Sequence, residues 1–301
     1  MTDEGYIDGP GGRLWYGVRG EDTPGIPLLV VHGGPGFLSM PEVVADLADE
    51  RPVYFYDQLG CGRSARPADK SLFTIEHYVA ELAAVRAALG LREVHLLGQS
   101  WGCMLVAEYL LRERPEGVRS LTLSGPLLSS PRWEADQRTY LAALPADQQA
   151  IIAEAERTGD YGEAYQEAML DYYRRHICRL DPWPDLLLQA LGQMNLDVYV
   201  TMWGPSEFTV TGTLKGHDLL PRLHEITQPT LLLCGEHDEA TPATVQLYRD
   251  RLPQGSMAVL PRASHLHHLE QPDLFLAIVR DHLHLGECLA PALPPSSPAR
   301  S

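Results

Sequence analysis

The sequence predicts an α/β fold with a mostly parallel central sheet, helices on both faces and an inserted helical cap. Three observations carry this. Short, nearly continuous apolar runs alternate with helical patterns through residue 125, and the same alternation resumes near residue 229. Between them, residues 127–215 hold helical patterns and little strand signal. Runs that are apolar throughout suit strands covered on both faces, because neither side meets water.

The elements follow in order. "YIDGPGGRLWYGV" (6–18) reads as a hairpin around a Gly/Pro turn. "PLLVVHG" (27–33), "PVYFYDQ" (52–58), "EVHLLGQS" (93–100) and "VRSLTLSG" (118–125) read as buried strands. In 74–90, Ile75, Tyr78, Val79, Leu82, Val85 and Leu89 fall on one helical stripe, with Thr74 as N-cap and Gly90 as stop signal. "CMLVAEYLL" (103–111) is apolar nearly all round, as a helix pressed against a sheet should be. "RWEADQRTYLAAL", "YGEAYQEAMLDYYRRHI" and "WPDLLLQALGQM" supply the helical patterns of the insertion. "PTLLLCGE" (229–236) and "MAVLP" (257–261) complete the sheet, with helices near 242–252 and 272–284. The expected organisation is a core of 1–126 and 216–286, a cap of 127–215, and a Pro/Ser-rich disordered tail of 287–301. An insertion that enters and leaves at the C-terminal ends of strands sits over the ligand edge of the sheet.

Composition narrows the function. With 301 residues, 45% of them hydrophobic, the chain can bury a full core. A net charge of −16 disfavours nucleic acid and anionic membranes as partners. No apolar run approaches the roughly 18 residues of a spanning helix, and the acidic opening "MTDEGYIDGP" is not expected to be a signal peptide. Five cysteines without framework spacing read as free thiols, which points to the cytoplasm.

"GQSWG" (98–102) follows an apolar strand and opens a helix, the context that makes G-x-S-x-G a nucleophile elbow presenting Ser100. A serine hydroxyl needs a base to take its proton. In the α/β-hydrolase arrangement an acid and then a histidine follow the serine, each on a loop after a strand. Asp238 after "TLLLCGEH" and His265 after "MAVLPRAS" fit that order. Asp218 and Asp250 lie in helical or connecting sequence, while His237, His267 and His268 compete by proximity. A metal held by His265, His267 and His268 is a weak reading, since no H-E-x-x-H pattern occurs and the serine machinery leaves a metal little to do. "HGGPG" (32–36) can turn a backbone N–H toward a substrate carbonyl; Gly34, with Gly33 as rival, is paired with the N–H of Trp101 as an oxyanion hole. "GCGRSA" (60–65) reads as a structural turn, and Cys61 and Cys103 as packing residues.

"HGGPG", "DQLGCGRS", "GQSWG", "GPSEF" (204–208), "GEHDEATP" (235–242) and "SHLHHLEQP" (264–272) together resemble the proline iminopeptidase family of α/β-hydrolases, nearest its tricorn-interacting aminopeptidase branch. The resemblance spans roughly residues 5 to 285. It implies a capped serine exopeptidase that needs no cofactor or metal and releases an N-terminal residue, often proline, from short peptides. It also implies that Glu239, beside the triad acid, and Glu207, in "GPSEF", hold the substrate's free α-amino group. Charge-assisted hydrogen bonds from an ammonium to facing carboxylates are about twice as strong as neutral ones, so such a pair separates a free amine from a blocked amide. Gln99 in the elbow and "FLSMPE" after "HGGPG" depart from the family pattern where the side-chain pocket is shaped. Two alternatives stay open: an amino-acid amidase or ester hydrolase acting on single-residue derivatives, and a carboxylesterase or carbon–carbon bond hydrolase without amine recognition.

Overall fold

The computed structural model describes residues 3–289. An eight-stranded sheet runs through it: β1 (Asp3–Gly9), β2 (Gly12–Arg19), β3 (Leu28–Val31), β4 (Val53–Tyr56), β5 (Val94–Gln99), β6 (Val118–Ser124), β7 (Thr230–Gly235) and β8 (Gly255–Leu260), in spatial order β1-β2-β4-β3-β5-β6-β7-β8. β1 and β2 form the antiparallel hairpin, with Gly9 opposite Gly12 at its closed end, and β2 meets β4 antiparallel. All pairings from β4 to β8 are parallel.

Successive strand residues point to opposite faces, and here both faces are covered. Leu29 and Val31 join the core layer that contains α1 (Ile75–Ala88), α2 (Trp101–Glu113) and α8 (Pro242–Arg249), while Leu28 joins the layer of α10 (Pro272–Leu289), which follows the one-turn α9 (His267–Glu270). The same split divides Leu232 and Cys234 from Leu231 and Leu233 in β7. Thr74 caps α1 by accepting the His77 N–H at 3.3 Å, and Gly90 follows the helix with φ +66°.

Between β6 and β7 lie α3 (Ser130–Ala142), α4 (Ala146–Thr158), α5 (Glu163–His176), α6 (Asp185–Gln193) and α7 (Leu196–Met202). The sequence patterns anticipated α3, α5 and α6. α4 buries only Ile152 and Ala155, and α7 is seven residues long, so neither carries a readable apolar stripe. α4 and α5 share a small core of their own with Leu144 and Phe208, whereas Trp133 of α3 and Val198 and Met202 of α7 pack into the main core.

The last helix corrects one boundary. α10 runs to Leu289, so residues 287–289 of the expected disordered tail are helical. Glu287 explains the extension: its carboxylate pairs at 2.6 Å with Arg51, a side chain that is almost wholly buried. The remainder of that tail, 290–301, lies outside the described residues. Among the described residues no helix is long and apolar enough to cross a membrane.

Candidate active site

The strand order reverses direction at β3, whose neighbours are β4 on one side and β5 on the other. Ligands of open α/β sheets gather at the C-terminal ends of strands flanking such a point. "HGGPG" leaves β3 there and Ser100 leaves β5. Ser100 has φ 54° and ψ −119°, a conformation that costs a non-glycine residue about 1–3 kcal/mol and persists only where surrounding structure enforces it. The enforcement is visible. The Ser100 N–H donates to the Ser124 carbonyl at 2.9 Å, and the Ser100 carbonyl accepts the Cys103 N–H at 2.9 Å. Gly98 and Gly102 lie so close together that a Cβ on Gly98 would collide with the Gly102 carbonyl, and one on Gly102 with the Val31 carbonyl. The two glycines of the motif are therefore required by close approach.

Gln58 ties the two loops into one unit. Its Nε2 donates to the His32 carbonyl at 2.9 Å, its Oε1 accepts the Trp101 indole N–H at 2.9 Å, and its own N–H reaches His32 Nε2 at 3.0 Å. A Cβ on Gly33 would stand 3.1 Å from Ser100 Cβ, so this backbone passes directly beside the serine. The N–H groups of Gly34 and Trp101 donate to no backbone carbonyl among the described residues, and neither does that of Gly33. The "GCGRSA" segment is a turn built around buried Asp57, whose carboxylate accepts the N–H groups of Ser39 at 3.0 Å and Arg63 at 2.9 Å. Cys61 and Cys103 are fully buried, and burial pushes both thiols well above their ordinary range.

Asp238 and His265 come together on the loops after β7 and β8, with Nδ1 to Oδ1 at 2.8 Å. Asp238 is fully buried and accepts the N–H groups of Gly235 at 3.0 Å and Ala240 at 2.8 Å. Burial pushes its carboxyl up, but the facing His265 and hydrogen bonds from His265 and His267 outweigh burial and hold it below the usual carboxylate range. The competing histidines separate cleanly. His267 sits behind Asp238, with Nδ1 3.5 Å from Oδ2 and Nε2 2.8 Å from the Ser124 hydroxyl. His268 packs against Phe275, and burial lowers its pKa well below the ordinary value. His237 turns to Glu236. Asp218 caps Leu220 and Asp250 pairs with Arg249, both at helix ends.

No hydrogen bond joins Ser100 to His265. His265 Nε2 stands instead 3.5 Å from Glu239 Oε1, with the Trp133 ring edge-on at 5.9 Å. Glu239 is buried next to Asp238 yet has the opposite electrostatics. Burial, and then the charges of Glu207 and Asp238, push its pKa well above the ordinary value against a hydrogen bond with Tyr172. Glu207 is half-buried and accepts the Tyr199 hydroxyl at 2.5 Å; burial raises its pKa, opposed by Tyr199, His265 and Trp133.

The insertion also grips the loops that carry these groups. Tyr140 and Gln137 of α3 donate to the backbone carbonyls of Asp238 at 3.0 Å and Glu239 at 2.9 Å. The N–H groups of His265 and Leu266 donate to the carbonyls of His176 and Ile177 at the end of α5, at 3.0 and 2.8 Å. Sequence reasoning missed Tyr140, Tyr172 and Tyr199, since an aromatic residue in a helical stripe reads as core, and Gln137, since a lone polar residue on a helix carries no motif.

The whole chain compares with known proteins in the same terms. A family described as alpha/beta hydrolase fold matches residues 26–272. A proline iminopeptidase of Heyndrickxia coagulans is 43% identical over 287 residues, covering 94% of this chain and 99% of the relative. The crystal structure of a proline iminopeptidase from Mycobacterium smegmatis superposes with TM-score 0.86 at 37% identity, covering 96% of this chain and 100% of that one. VinJ superposes with TM-score 0.90 at 35% identity, covering 94% and 98%. The chain belongs to the proline iminopeptidase family of α/β hydrolases.

Proposed function

We propose that this protein is a serine exopeptidase that releases one N-terminal residue, proline or another small apolar residue, from short peptides through an acyl-enzyme. The observation that carries the reading is the pair of acids, Glu207 and Glu239, buried or half-buried together beside His265. Two carboxylates sharing a desolvated cleft repel one another unless a cation lies between them, and a free α-amine supplies that cation. Relatives named proline iminopeptidase, matched over nearly the whole chain, support the same substrate class.

In this reading Asp238 holds His265 with its Nδ1 protonated, leaving Nε2 as base. His265 takes the Ser100 proton while Oγ bonds to the carbonyl carbon of the first residue. The N–H groups of Gly34 and Trp101 receive the oxyanion, each worth about 3 kcal/mol of transition-state stabilisation. The carbon–nitrogen bond then breaks, and the proton on His265 passes to the leaving amine. Water, deprotonated by the same imidazole, cleaves the ester and frees the amino acid and Ser100. Serine, imidazole and backbone N–H groups supply every step, so the reading calls on no cofactor or metal. The insertion 127–215 serves as a cap over a core of 1–126 and 216–286, limiting space beyond the bound amine. The compartment is the cytoplasm, and the −16 net charge suits soluble peptides better than nucleic acid or anionic lipid.

The test is a matched panel: prolyl- and alanyl-p-nitroanilide, their N-acetylated forms and p-nitrophenyl butyrate, each also run with Ser100→Ala. Turnover of free-amine substrates alone, abolished in the variant, supports the reading. Equal cleavage of acetylated substrates, or cleavage of the butyrate only, would make the protein an esterase and leave Glu239 a bystander.

A further inference from the structure

The cap side of the cleft has one more hydrogen-bond contact than its hydroxyl protons can fill. Gln137 Nε2 donates to the Glu239 backbone carbonyl at 2.9 Å. A carbonyl only accepts, so this contact fixes the amide orientation and makes the other terminal atom of Gln137 an oxygen. That Oε1 also only accepts, and it is closely bonded to the Tyr172 hydroxyl. Tyr172 has one proton, and this bond uses it. Yet Tyr172 Oη also stands 3.0 Å from Glu239 Oε2. Two buried oxygens at that distance need a proton between them. The Tyr172 hydroxyl thus faces two acceptors with one proton, and a proton on Glu239 lets both contacts be filled.

We propose that Glu239 is the neutral acid in the substrate-free enzyme, its hydroxyl donating to Tyr172, and that a substrate ammonium displaces this proton to bulk water as it docks. The proposal rests on the aminopeptidase reading and specifies how its amine site is charged. The Glu239 O–H bond breaks heterolytically and the proton goes to solvent. The ammonium keeps its own protons, and the new carboxylate charge offsets the arriving positive charge. Gln137 and Tyr172 act as positioning residues, because they set the protonation state of the acid that touches the amine.

The surroundings of Glu239 agree with this. Glu207 after α7 and Asp238 in its own loop present like charge, while His265 approaches Oε1 at 3.5 Å. From the cap helices stand the phenols of Tyr140, Tyr172, Tyr173 and Tyr199, all held neutral by burial. Charged arginine or lysine is absent from the groups that bear on Glu239 among the described residues. A second ionised carboxylate beside Glu207 therefore waits for a cation from outside. With its hydroxyl turned to Tyr172, the acid leaves its carbonyl oxygen Oε1 facing His265 and the cleft, open to an incoming N–H.

The experiment is calorimetric titration of the Ser100→Ala protein with L-prolinol, a proline-like amine with no scissile bond, at mildly acidic pH in two buffers of different ionisation enthalpy. The expected result is release of about one proton per amine bound. Gln137→Met in the same background frees the Tyr172 proton for Glu239, which weakens the acid's hold on its own proton, and the proton release at a given pH becomes smaller. Amine binding without proton release from the Ser100→Ala protein overturns the proposal while leaving the aminopeptidase reading intact. Release that persists unchanged in a folded Gln137→Met protein also overturns it. Should that variant not fold, the count on Ser100→Ala alone decides. Failure of prolinol to bind, with acetylated substrates cleaved as well as free amines, sinks the aminopeptidase reading and this proposal together.

Discussion

The two sides of the cleft treat neighbouring carboxyls in opposite ways. On the core side, Asp238 is met by two backbone N–H groups and two histidines, every one a donor. On the cap side, Glu239 is met by the like charges of Glu207 and Asp238 and by Tyr172, whose hydroxyl also bonds Gln137. Both are buried, so burial does not distinguish them. The difference lies in what faces each group. Donors stabilise a carboxylate that, in the proposed reading, stays charged to orient His265, whereas a site that awaits a cation can keep its acid protonated until the cation comes. In the proposed reading the chemistry belongs to the core side and the choice of substrate to the cap side.

That division can be broken most forcefully at the serine. Ser100→Ala should lower kcat toward prolyl-p-nitroanilide by about 10⁶-fold, and Asp238→Asn by about 10⁴-fold, with KM little changed. A large rise in KM in either variant would put the core side into substrate recognition and dissolve the contrast.

Glu207→Gln tests the other side. It should reduce kcat/KM for free-amine substrates by about 10–100-fold, the worth of one charge-assisted hydrogen bond, and leave p-nitrophenyl ester cleavage nearly intact. Parallel losses on both substrate types would show that Glu207 supports the catalytic groups themselves.

His267 refines the core side. Held between Ser124 and Asp238, it supports the acid from behind, so His267→Gln should cost kcat about tenfold, one hydrogen bond's worth, without altering amine preference. An unchanged kcat would reduce His267 to packing.

The smallest effect concerns stability, where the neighbouring acids have opposite signs. Asp238 has a folded pKa below its unfolded value, so its contribution is present above about pH 4 and is lost as pH falls through the folded value. Glu239 has a folded pKa above its unfolded value, so its contribution is present in acid and is lost as pH rises through the folded value. Glu239→Gln should therefore raise Tm by about 2–4 °C in mildly alkaline buffer and by less in acid. Thermal melts of the two proteins across pH check this, and a pH-independent difference would mean that Glu239 does not change its charge on folding.

Much of the molecule was legible before any coordinates. The buried strands announced themselves because both faces of the sheet are covered, and "GQSWG" carried its own context of strand and helix. Thr74 and Gly90 marked the ends of α1 because caps are local chemistry. α4 and α7 were not legible, since a helix with two buried residues or seven in all leaves no stripe. The end of α10 was misread because Glu287 is anchored by Arg51, a residue 236 positions away in the chain. Ser100, Asp238 and His265 could be proposed from their order, because each stands on a loop directly after a strand, and the structure brings Asp238 and His265 within 2.8 Å.

The sequence by itself determined the sheet, the elbow and the pair of adjacent acids. Only the tertiary structure decided that these acids differ. Charge state depends on what lies within a few ångströms, and Gln137, Tyr172 and Glu207 reach Glu239 from helices and a loop far away in the chain. His267 likewise looked like a rival base by its nearness to His265, and the fold turned it to the back of Asp238. Neighbours in sequence share a backbone, but the field each side chain feels is assembled by packing.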